Sequence, residues 1–366
     1  MSSSRPGAKR PERQRVAARR PGAGRRGAPQ VTIVTPYAAA ANNGNWHTAA
    51  RWARQLRPDY RVRIATAWQA GDPAPQVLIA LHARRSAPSI AAFAAEHPRR
   101  PLIVALTGTD LYRDLAHDAQ ARRSLRLATR LVVLNELGAR RVPARWRAKV
   151  EVLLQSAPLR APVAKPRRFT VAVVGHLRDE KNPQLVWRLL DAWPPQLPLR
   201  VVHAGGALDA ALGRQAARRA RDDRRYVWLG NQPRARVRRL VARAHLLLQP
   251  SAIEGGALAV IEAVTAGTPV AGSRIDGNLG LLGADYPGWF APDDARAARD
   301  LLARAAREPA FLARLARHCA RRASAFAPER ERRRLMRIVA GCLPSGDRAR
   351  PPRSLIDPLR RRCASA

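Results

Sequence analysis

The chain has 366 residues, of which 46% are hydrophobic, and a formal net charge of +40 at pH 7. This length suits about two globular domains, each large enough to bury its own core. The charge invites a nucleic-acid partner, but only 4 of the 67 basic residues are lysine, and so much arginine, alanine and proline is typical of a GC-rich genome. Because zinc-finger spacing and interleaved basic and aromatic residues are missing, we expect no specific nucleic-acid ligand, only weak association with anionic surfaces.

Signals for export, membrane insertion and disulfide bonding are also missing, which predicts a soluble cytoplasmic protein. The three cysteines are an odd set without CxxC spacing, and no apolar run approaches the length of a membrane span. Residues 1–29 are rich in Arg, Gly, Pro and Ser and predict disorder. They lack the apolar segment of a secretory signal, and are either an over-called start of the chain or a weak tether to anionic surfaces.

From residue 30 onward, short apolar runs alternate with helical patterns, which predicts a parallel sheet covered on both faces. Strands are predicted at 31–34, 62–67, 77–81, 102–106 and 131–134, and helices most clearly at 86–96 and 118–128. Function in such sheets gathers at the carboxyl ends of the strands. Three polar stretches follow strands there, at 42–45, 82–86 and 107–110.

The second half repeats this alternation after a basic, proline-rich stretch at 158–168 that suits an interdomain linker. Strands are predicted at 169–175, 201–204, 226–229, 246–248 and 269–271, and helices at 183–193, 207–221 and 234–242. Residues 293–343 predict two or three arginine-rich helices. We therefore expect an α/β protein with an amino-terminal domain over 30–160 and a carboxyl-terminal domain over 161–326. A terminal helix over 327–343 would pack back on the first domain, followed by a basic flexible tail over 344–366.

The stretch 246–262, LLLQPSAIEGGALAVIE, predicts a strand, a glycine turn and a helix that begins near the paired glycines. The backbone N–H groups of Gly255, Gly256, Ala257 and Leu258, together with the helix dipole, form a site suited to phosphate. Glu254 and Glu262 stand on either side of it, which fits a nucleotide sugar with hydroxyls on both sides of a diphosphate. Glu262 would take the ribose and Glu254 the hexose, although two glutamates at this spacing also arise by chance.

This stretch resembles the EGFGLxxxE segment of family-4-type glycosyltransferases, which have the GT-B fold of two Rossmann-like domains facing a central cleft. GHLRDEK at 175–181 is similar to the G-R-x-x-x-x-K segment of the same enzymes. The resemblance implies that Lys181 holds the donor diphosphate. His176 occupies the arginine position, and Arg178 could supply the missing charge. The alternative is an ordinary turn in which Asn182 caps the next helix.

DGNLG at 276–280 corresponds to a glycine-rich loop that related enzymes place near the sugar, so Asn278 is assigned to the donor site. On glycine content alone, a tight turn with positive φ is the stronger interpretation. The sequence has no DxD triplet, so we expect neither a metal ion nor a cofactor.

Several segments carry a more specific resemblance, to the selenosugar synthases of selenoneine biosynthesis. It runs from about residue 31 to residue 326, and HARRSAPS and LTGTDLY are its most specific segments. The resemblance implies a UDP-sugar donor, UDP-N-acetylglucosamine or UDP-glucose, and selenophosphate as acceptor. The product would carry a carbon–selenium bond at the anomeric carbon.

Selenophosphate is already anionic, so its site needs cations and N–H donors more than a general base. Arg84 and Arg85 offer bidentate anion recognition beside His82 and Ser86, and Gly44 and Asn45 open a helix. Thr107, Gly108 and Thr109 complete the predicted acceptor wall. Asp110 either orients sugar hydroxyls or caps a turn, His82 is either catalytic or a satisfied loop histidine, and the arginines are alternatively surface residues.

We therefore expect a metal-independent GT-B glycosyltransferase with Glu254, Asp110 and His82 as its catalytic residues. Two alternatives remain open. One is a transferase of the same fold that acts on a lipid or polysaccharide hydroxyl. The other is a polyanion-binding protein with a degenerate transferase fold.

Overall fold

Two parallel β-sheets of six strands each form the framework of the protein, which is described over residues 27–344 by a computed structural model. The predicted disorder of residues 1–26 and the predicted flexible tail from 345 onward lie outside the described residues. None of the helices within 27–344 is both long and apolar enough to cross a membrane.

The first sheet has the strand order β2-β1-β3-β4-β5-β6, and every neighbouring pair is parallel. Its strands are β1 (Gln30–Val34), β2 (Arg61–Ala65), β3 (Val77–Leu81), β4 (Leu102–Leu106), β5 (Arg130–Val133) and β6 (Val150–Val152). Its helices are α1 (Gly44–Leu56), α2 (Ala87–Glu96), α3 (Leu115–His117) and α4 (Ala119–Leu127). A π-helical turn, Asp110–Asp114, leads into α3.

The second sheet has the order β12-β11-β10-β7-β8-β9 and is also parallel throughout. Its strands are β7 (Phe169–Val174), β8 (Leu199–Ala204), β9 (Tyr226–Trp228), β10 (Leu246–Gln249), β11 (Val270–Ser273) and β12 (Trp289–Phe290). The helices are α5 (Pro183–Asp191), α6 (Ala210–Asp222), α7 (Arg234–Arg243), α8 (Leu258–Thr265), α9 (Asp276–Leu282), α10 (Ala295–Arg307), α11 (Pro309–Ala323) and α12 (Pro328–Cys342).

The cores follow from the uninterrupted apolar strands, which are typical of sheets covered on both faces. In the first domain, every residue of β3 and β4 is buried. One face of that sheet packs against α1 and α12, and the other packs against α2 and α4. A single larger cluster fills the second domain. Side-chain caps define several helix starts, and Asn43 and Asp118 accept the N–H groups of Trp46 and Ala121.

The chain crosses between the domains twice. It first leaves β6 through residues 153–168 and later returns through the turn Ser324–Phe326 to α12, which packs on α1. The two crossings meet where Ala157 N–H donates to the carbonyl of Phe326 at 3.2 Å. The prediction of two Rossmann-like units with extra helices at the end is confirmed. The short strands β6 and β12 and the helix α9 were not predicted.

Candidate active site

The carboxyl ends of the strands of both sheets face a cleft between the two domains. This cleft contains a cavity of about 270 Å³. The loops after β1, β3 and β4 line it from the first domain, and the loops after β7, β8, β9 and β10 line it from the second. This is the edge where function gathers in parallel α/β sheets.

Glu254 stands at the centre of the second-domain wall. It is 7% exposed, and its Oε1 accepts from Ser251 Oγ at 2.7 Å, from Gln249 Nε2 at 2.5 Å and from Lys181 Nζ. The carboxylate is therefore held in one orientation by neutral and charged donors from two loops. This joins two separately predicted segments, since Lys181 belongs to the turn after β7 and Glu254 to the loop after β10.

Glu262 lies about one turn inside α8 and is 6% exposed. Its Oε1 accepts from Arg234 Nε at 2.9 Å, at the start of α7. Both residues line the cavity. Arg234 was not predicted as a site residue, because it is one arginine of the RARVRRLVAR run and its pairing with Glu262 depends on how α7 packs beside α8.

The paired glycines allow the second-domain loop to touch the first domain. A Cβ on Gly255 would lie 2.2 Å from the carbonyl oxygen of Thr107, and one on Gly256 would lie 2.6 Å from Leu134 Cβ. Asn135 Nδ2 donates across the cleft to the Gly255 carbonyl at 2.7 Å. Glycine is therefore required here for close approach between domains, and the structure represents a closed cleft.

The turn after β7 contributes His176, Arg178 and Lys181 to the cavity wall. His176 Nδ1 accepts from Gly206 N–H at 3.0 Å, and its Nε2 donates to the Asn42 carbonyl at 3.0 Å. Burial lowers the pKa of His176, so the ring is neutral with both nitrogens engaged. Asn182 does cap α5, by accepting from Leu185 N–H at 3.3 Å. This cap is compatible with the position of His176, Arg178 and Lys181 in the cavity wall.

His82 lies at the end of β3 in the first-domain wall and has a left-handed φ of 74°. Such a backbone is uncommon for residues other than glycine and occurs frequently at functional sites. Its Nε2 lies 3.0 Å from Thr109 Oγ1, and its Nδ1 accepts from Arg85 N–H at 3.3 Å. The ring thus connects two of the predicted acceptor loops.

Asp110 does not line the cavity. It is fully buried, and its carboxylate accepts from the N–H groups of Thr107 at 2.8 Å, Gly108 at 2.9 Å and Ala83 at 2.9 Å. This agrees with the capping interpretation and not with direct contact to a sugar. Asp110 orders both predicted acceptor loops through their backbones.

The two predicted arginines have different positions. Arg85 lines the cavity, with its guanidinium carbon 5.2 Å from the centre of the Tyr37 ring. Arg84 turns away and pairs with Asp118 at 2.9 Å and Asp114 at 3.7 Å. Ser86 is also outside the cavity wall, since its buried Oγ donates to the Leu81 carbonyl at 2.7 Å. Of the two predicted guanidinium groups, only that of Arg85 therefore lines the cavity.

The start of α1 completes the first-domain wall of the cavity. Asn43, Gly44 and Asn45 line the cavity, as do Thr107, Gly108 and Thr109. The first N–H groups of a helix have no partner within the helix, so this end attracts anions.

Asn278 was assigned to a loop near the sugar, and this assignment is wrong. Asn278 is fully buried in α9, and its side-chain amide donates to the Ser273 carbonyl at 2.9 Å. The positive φ expected for the glycines is also absent. A Cβ on Gly277 would lie 1.9 Å from the Glu254 carbonyl oxygen, and one on Gly280 would lie 2.4 Å from Asn135 Oδ1. Here glycine allows a helix to support the Glu254 loop.

Sequence reasoning also missed His47, Gln155 and Asn231, which line the cavity, and it placed Asn42 in the polar stretch 42–45 without naming it as a site residue. They are single polar residues without a motif, and chain topology alone brings them together. Within residues 27–344, no cluster of His, Cys, Asp and Glu has the geometry to hold a metal ion.

Residues 158–324 match the family model of the glycosyl transferases group 1. Comparison of the sequence with curated proteins gives no match. Among solved structures, Anabaena HepE in complex with UDP and glucose is similar, with a TM-score of 0.68 and 14% identity over 86% of this chain and 100% of HepE. Sucrose-phosphate synthase from Thermosynechococcus elongatus has a TM-score of 0.69 and 14% identity over 85% of this chain and 98% of the synthase. The chain therefore has the two-domain GT-B fold, and the match to the glycosyl transferases group 1 model covers its second domain.

Proposed function

We propose that this protein transfers a hexose from a UDP-sugar, UDP-N-acetylglucosamine or UDP-glucose, to selenophosphate, as in selenoneine biosynthesis. The proposal rests on one observation: two walls with different chemistry face each other across a closed cleft. Glu254, Lys181 and the glycine loop lie on one side. Arg85, the start of α1 and the Thr107–Gly108–Thr109 backbone lie opposite.

The second-domain wall suits a nucleoside diphosphate sugar. Lys181, Arg178 and the N–H groups at the start of α8 would neutralise the diphosphate. Glu262, held by Arg234, would accept from the ribose hydroxyls, and Glu254 would accept from the hexose. HepE, which has a similar fold, forms a complex with UDP-glucose, and this supports a UDP-sugar as the donor.

The first-domain wall suits a small anion. Arg85 and the N–H groups of α1 supply positive potential, and the wall offers polar side chains and backbone where a lipid tail would need an apolar groove. Selenium would attack the anomeric carbon while the bond from that carbon to the β-phosphate oxygen breaks. The electron pair of that bond leaves with UDP, stabilised by Lys181 and Arg178. Closure of the cleft would keep water from the activated donor.

Mass spectrometry of products from UDP-sugar with selenophosphate tests the proposal, with phosphate and thiophosphate as parallel acceptors. We expect a hexose-linked selenium product and equimolar UDP only with selenophosphate. Transfer to a lipid or glycan hydroxyl, with no selenium product, would contradict selenophosphate as the acceptor but agree with a glycosyltransferase. Steep, salt-dependent nucleic-acid binding without UDP release would contradict both.

Arg84 and Arg85 provide a matched pair of variants for the acceptor site. Arg85→Ala should raise the selenophosphate KM about tenfold or more, because a charge-assisted contact is lost. Arg84→Ala should leave KM nearly unchanged, since Arg84 pairs with Asp118 outside the cavity. Steady-state kinetics at saturating UDP-sugar measures both, and circular dichroism checks folding. Equal KM values in the two variants would remove Arg85 from the acceptor site.

A further inference from the structure

Asn42, in the loop between β1 and α1, connects the first domain to the second. Its Nδ2 donates to Asn231 Oδ1 at 2.6 Å and to the Gln232 carbonyl at 3.1 Å. Its own carbonyl accepts from His176 Nε2 at 3.0 Å. One residue of the first domain therefore bonds the loops that follow β7 and β9 of the second domain.

The donors and acceptors around Asn42 fit only one arrangement. Gly206 N–H must donate to His176 Nδ1, so the proton of the neutral ring is on Nε2 and points at the Asn42 carbonyl. His47 Nε2 lies 2.9 Å from Asn42 Oδ1, the acceptor end of the amide. Burial, and then Arg234, Arg51 and His176, lower the pKa of His47 to about 4, so it is also neutral near pH 7.

The backbone of Asn42 is held in a left-handed conformation, with φ of 45°. Asparagine adopts this region more readily than most residues, and glycine adopts it freely. The conformation turns the loop so that the side chain and the carbonyl both face the second domain. The same loop continues into Asn43 and α1, so a shift of Asn42 also moves the start of the acceptor wall.

His176, Gly206 and Asn231 follow the ends of β7, β8 and β9, beside the turn that carries Lys181. If the diphosphate lies at Lys181, the neighbouring loops after β8 and β9 are where the nucleoside fits. We propose that Asn42 is a positioning residue that latches the first domain over the nucleoside end of the donor, so that its release governs departure of UDP. This inference rests on the proposed UDP-sugar donor.

Stopped-flow measurement of UDP dissociation tests the latch. Asn42→Gly keeps the backbone conformation and removes the side-chain bonds, so UDP should leave about tenfold faster or more. UDP-sugar hydrolysis without acceptor should rise in the same variant, because an open cleft admits water. Arg141→Gln is the matched control. It removes an interdomain ion pair with Asp276 outside the cavity, and because Arg141 is largely exposed, UDP release should stay within about twofold.

Asn231→Ala attacks the same latch from the second domain. If the two asparagines act through their mutual bond, the double variant with Asn42→Gly should release UDP no faster than the faster single variant. His176→Gln, which keeps a donor and an acceptor, should release UDP at a rate closer to that of the wild type than His176→Leu does. Wild-type release rates in Asn42→Gly and Asn231→Ala would overturn the latch, whereas failure of the wild-type protein to bind UDP would instead overturn the proposed donor.

Discussion

At the scale of single residues, the two buried glutamates of the second-domain wall differ in their partners. Glu254 accepts from three side chains that converge on one oxygen, whereas Glu262 is paired with Arg234. Their sequence spacing predicts that both face the same ligand. It does not show that one is anchored by a lysine and the other by an arginine from a different helix.

We expect Glu262→Ala to weaken UDP binding by about 1.5–3 kcal/mol, because a charge-assisted hydrogen bond to the ribose is lost. Glu254→Ala should retain UDP binding and lose sugar transfer, since its contact is to the hexose. Isothermal calorimetry with UDP and a transfer assay separate the two effects. A parallel loss of binding and transfer in Glu254→Ala would contradict the assignment of the two carboxylates.

His203 is buried in β8, beside the turn that follows β7. Its Nε2 donates to the Gly175 carbonyl at 3.0 Å, and its Nδ1 lies 2.9 Å from the Tyr226 hydroxyl. Burial lowers the pKa of His203 from 6.5 to about 4. Between pH 6.5 and pH 4, His203 is therefore protonated in the unfolded chain and neutral in the folded chain. The free energy of unfolding should therefore fall by about 3 kcal/mol as the pH drops from 6.5 to 4.

Urea unfolding at several pH values measures this loss. His203→Gln should flatten the slope between pH 6.5 and 4 without removing it, because the pKa of His47 is also lowered to about 4. An unchanged slope in His203→Gln would show that His203 titrates normally in the folded protein.

The sequence could not distinguish Arg84 from Arg85, although they are adjacent. Their difference arises because Asp118, at the start of α4, accepts Arg84, while Tyr37 lies beneath Arg85. Both partners come from other loops. Local patterns name the segment, and only the packed fold shows which side chain faces the cleft.

At the scale of secondary structure, the strands with uninterrupted apolar residues were predicted almost to the residue, as β3 and β4 show. The pattern of α9 was misleading, because DGNLG contains two glycines and glycine disfavours helices. The helix forms because its glycines lack a Cβ, which lets the backbone of the Glu254 loop and the Asn135 side chain pack closely against it. Packing against these two neighbours, of which only Asn135 belongs to the first domain, thus outweighed local propensity.

The return of α12 to the first domain depends on the buried Glu331. Its carboxylate accepts from Arg51 Nε at 2.9 Å, Trp52 Nε1 at 2.8 Å, Gln55 Nε2 at 3.0 Å and the Ser156 hydroxyl. Removing this acceptor leaves the buried Arg51 charge without its partner.

We therefore expect Glu331→Ala to lower the free energy of unfolding by about 3–5 kcal/mol. Chemical denaturation monitored by tryptophan fluorescence, with Trp52 in the affected contact, measures the loss. The additional change Arg51→Met should recover part of the stability, because the stranded charge is then removed. A loss below about 1 kcal/mol in Glu331→Ala would indicate that Glu331 is replaceable in holding α12.

At the scale of the whole molecule, the sequence predicted two parallel sheets and a cleft at their carboxyl ends, and both are present. The bonds that hold the cleft closed were not predictable. Asn42 with Asn231 and Arg113 with Glu180 join residues 189 and 67 positions apart, and no motif marks them. Such contacts depend on the relative orientation of two rigid domains, which local sequence does not encode.

The double crossing of the chain beside α12 restricts how this orientation can change. The two connecting segments meet at the hydrogen bond from Ala157 N–H to the Phe326 carbonyl, so the domains are joined covalently twice at one place. Because both covalent connections run through this place, we expect the domains to stay joined here when the cleft opens, and a cut of the chain near residue 326 should leave their relative orientation less restricted.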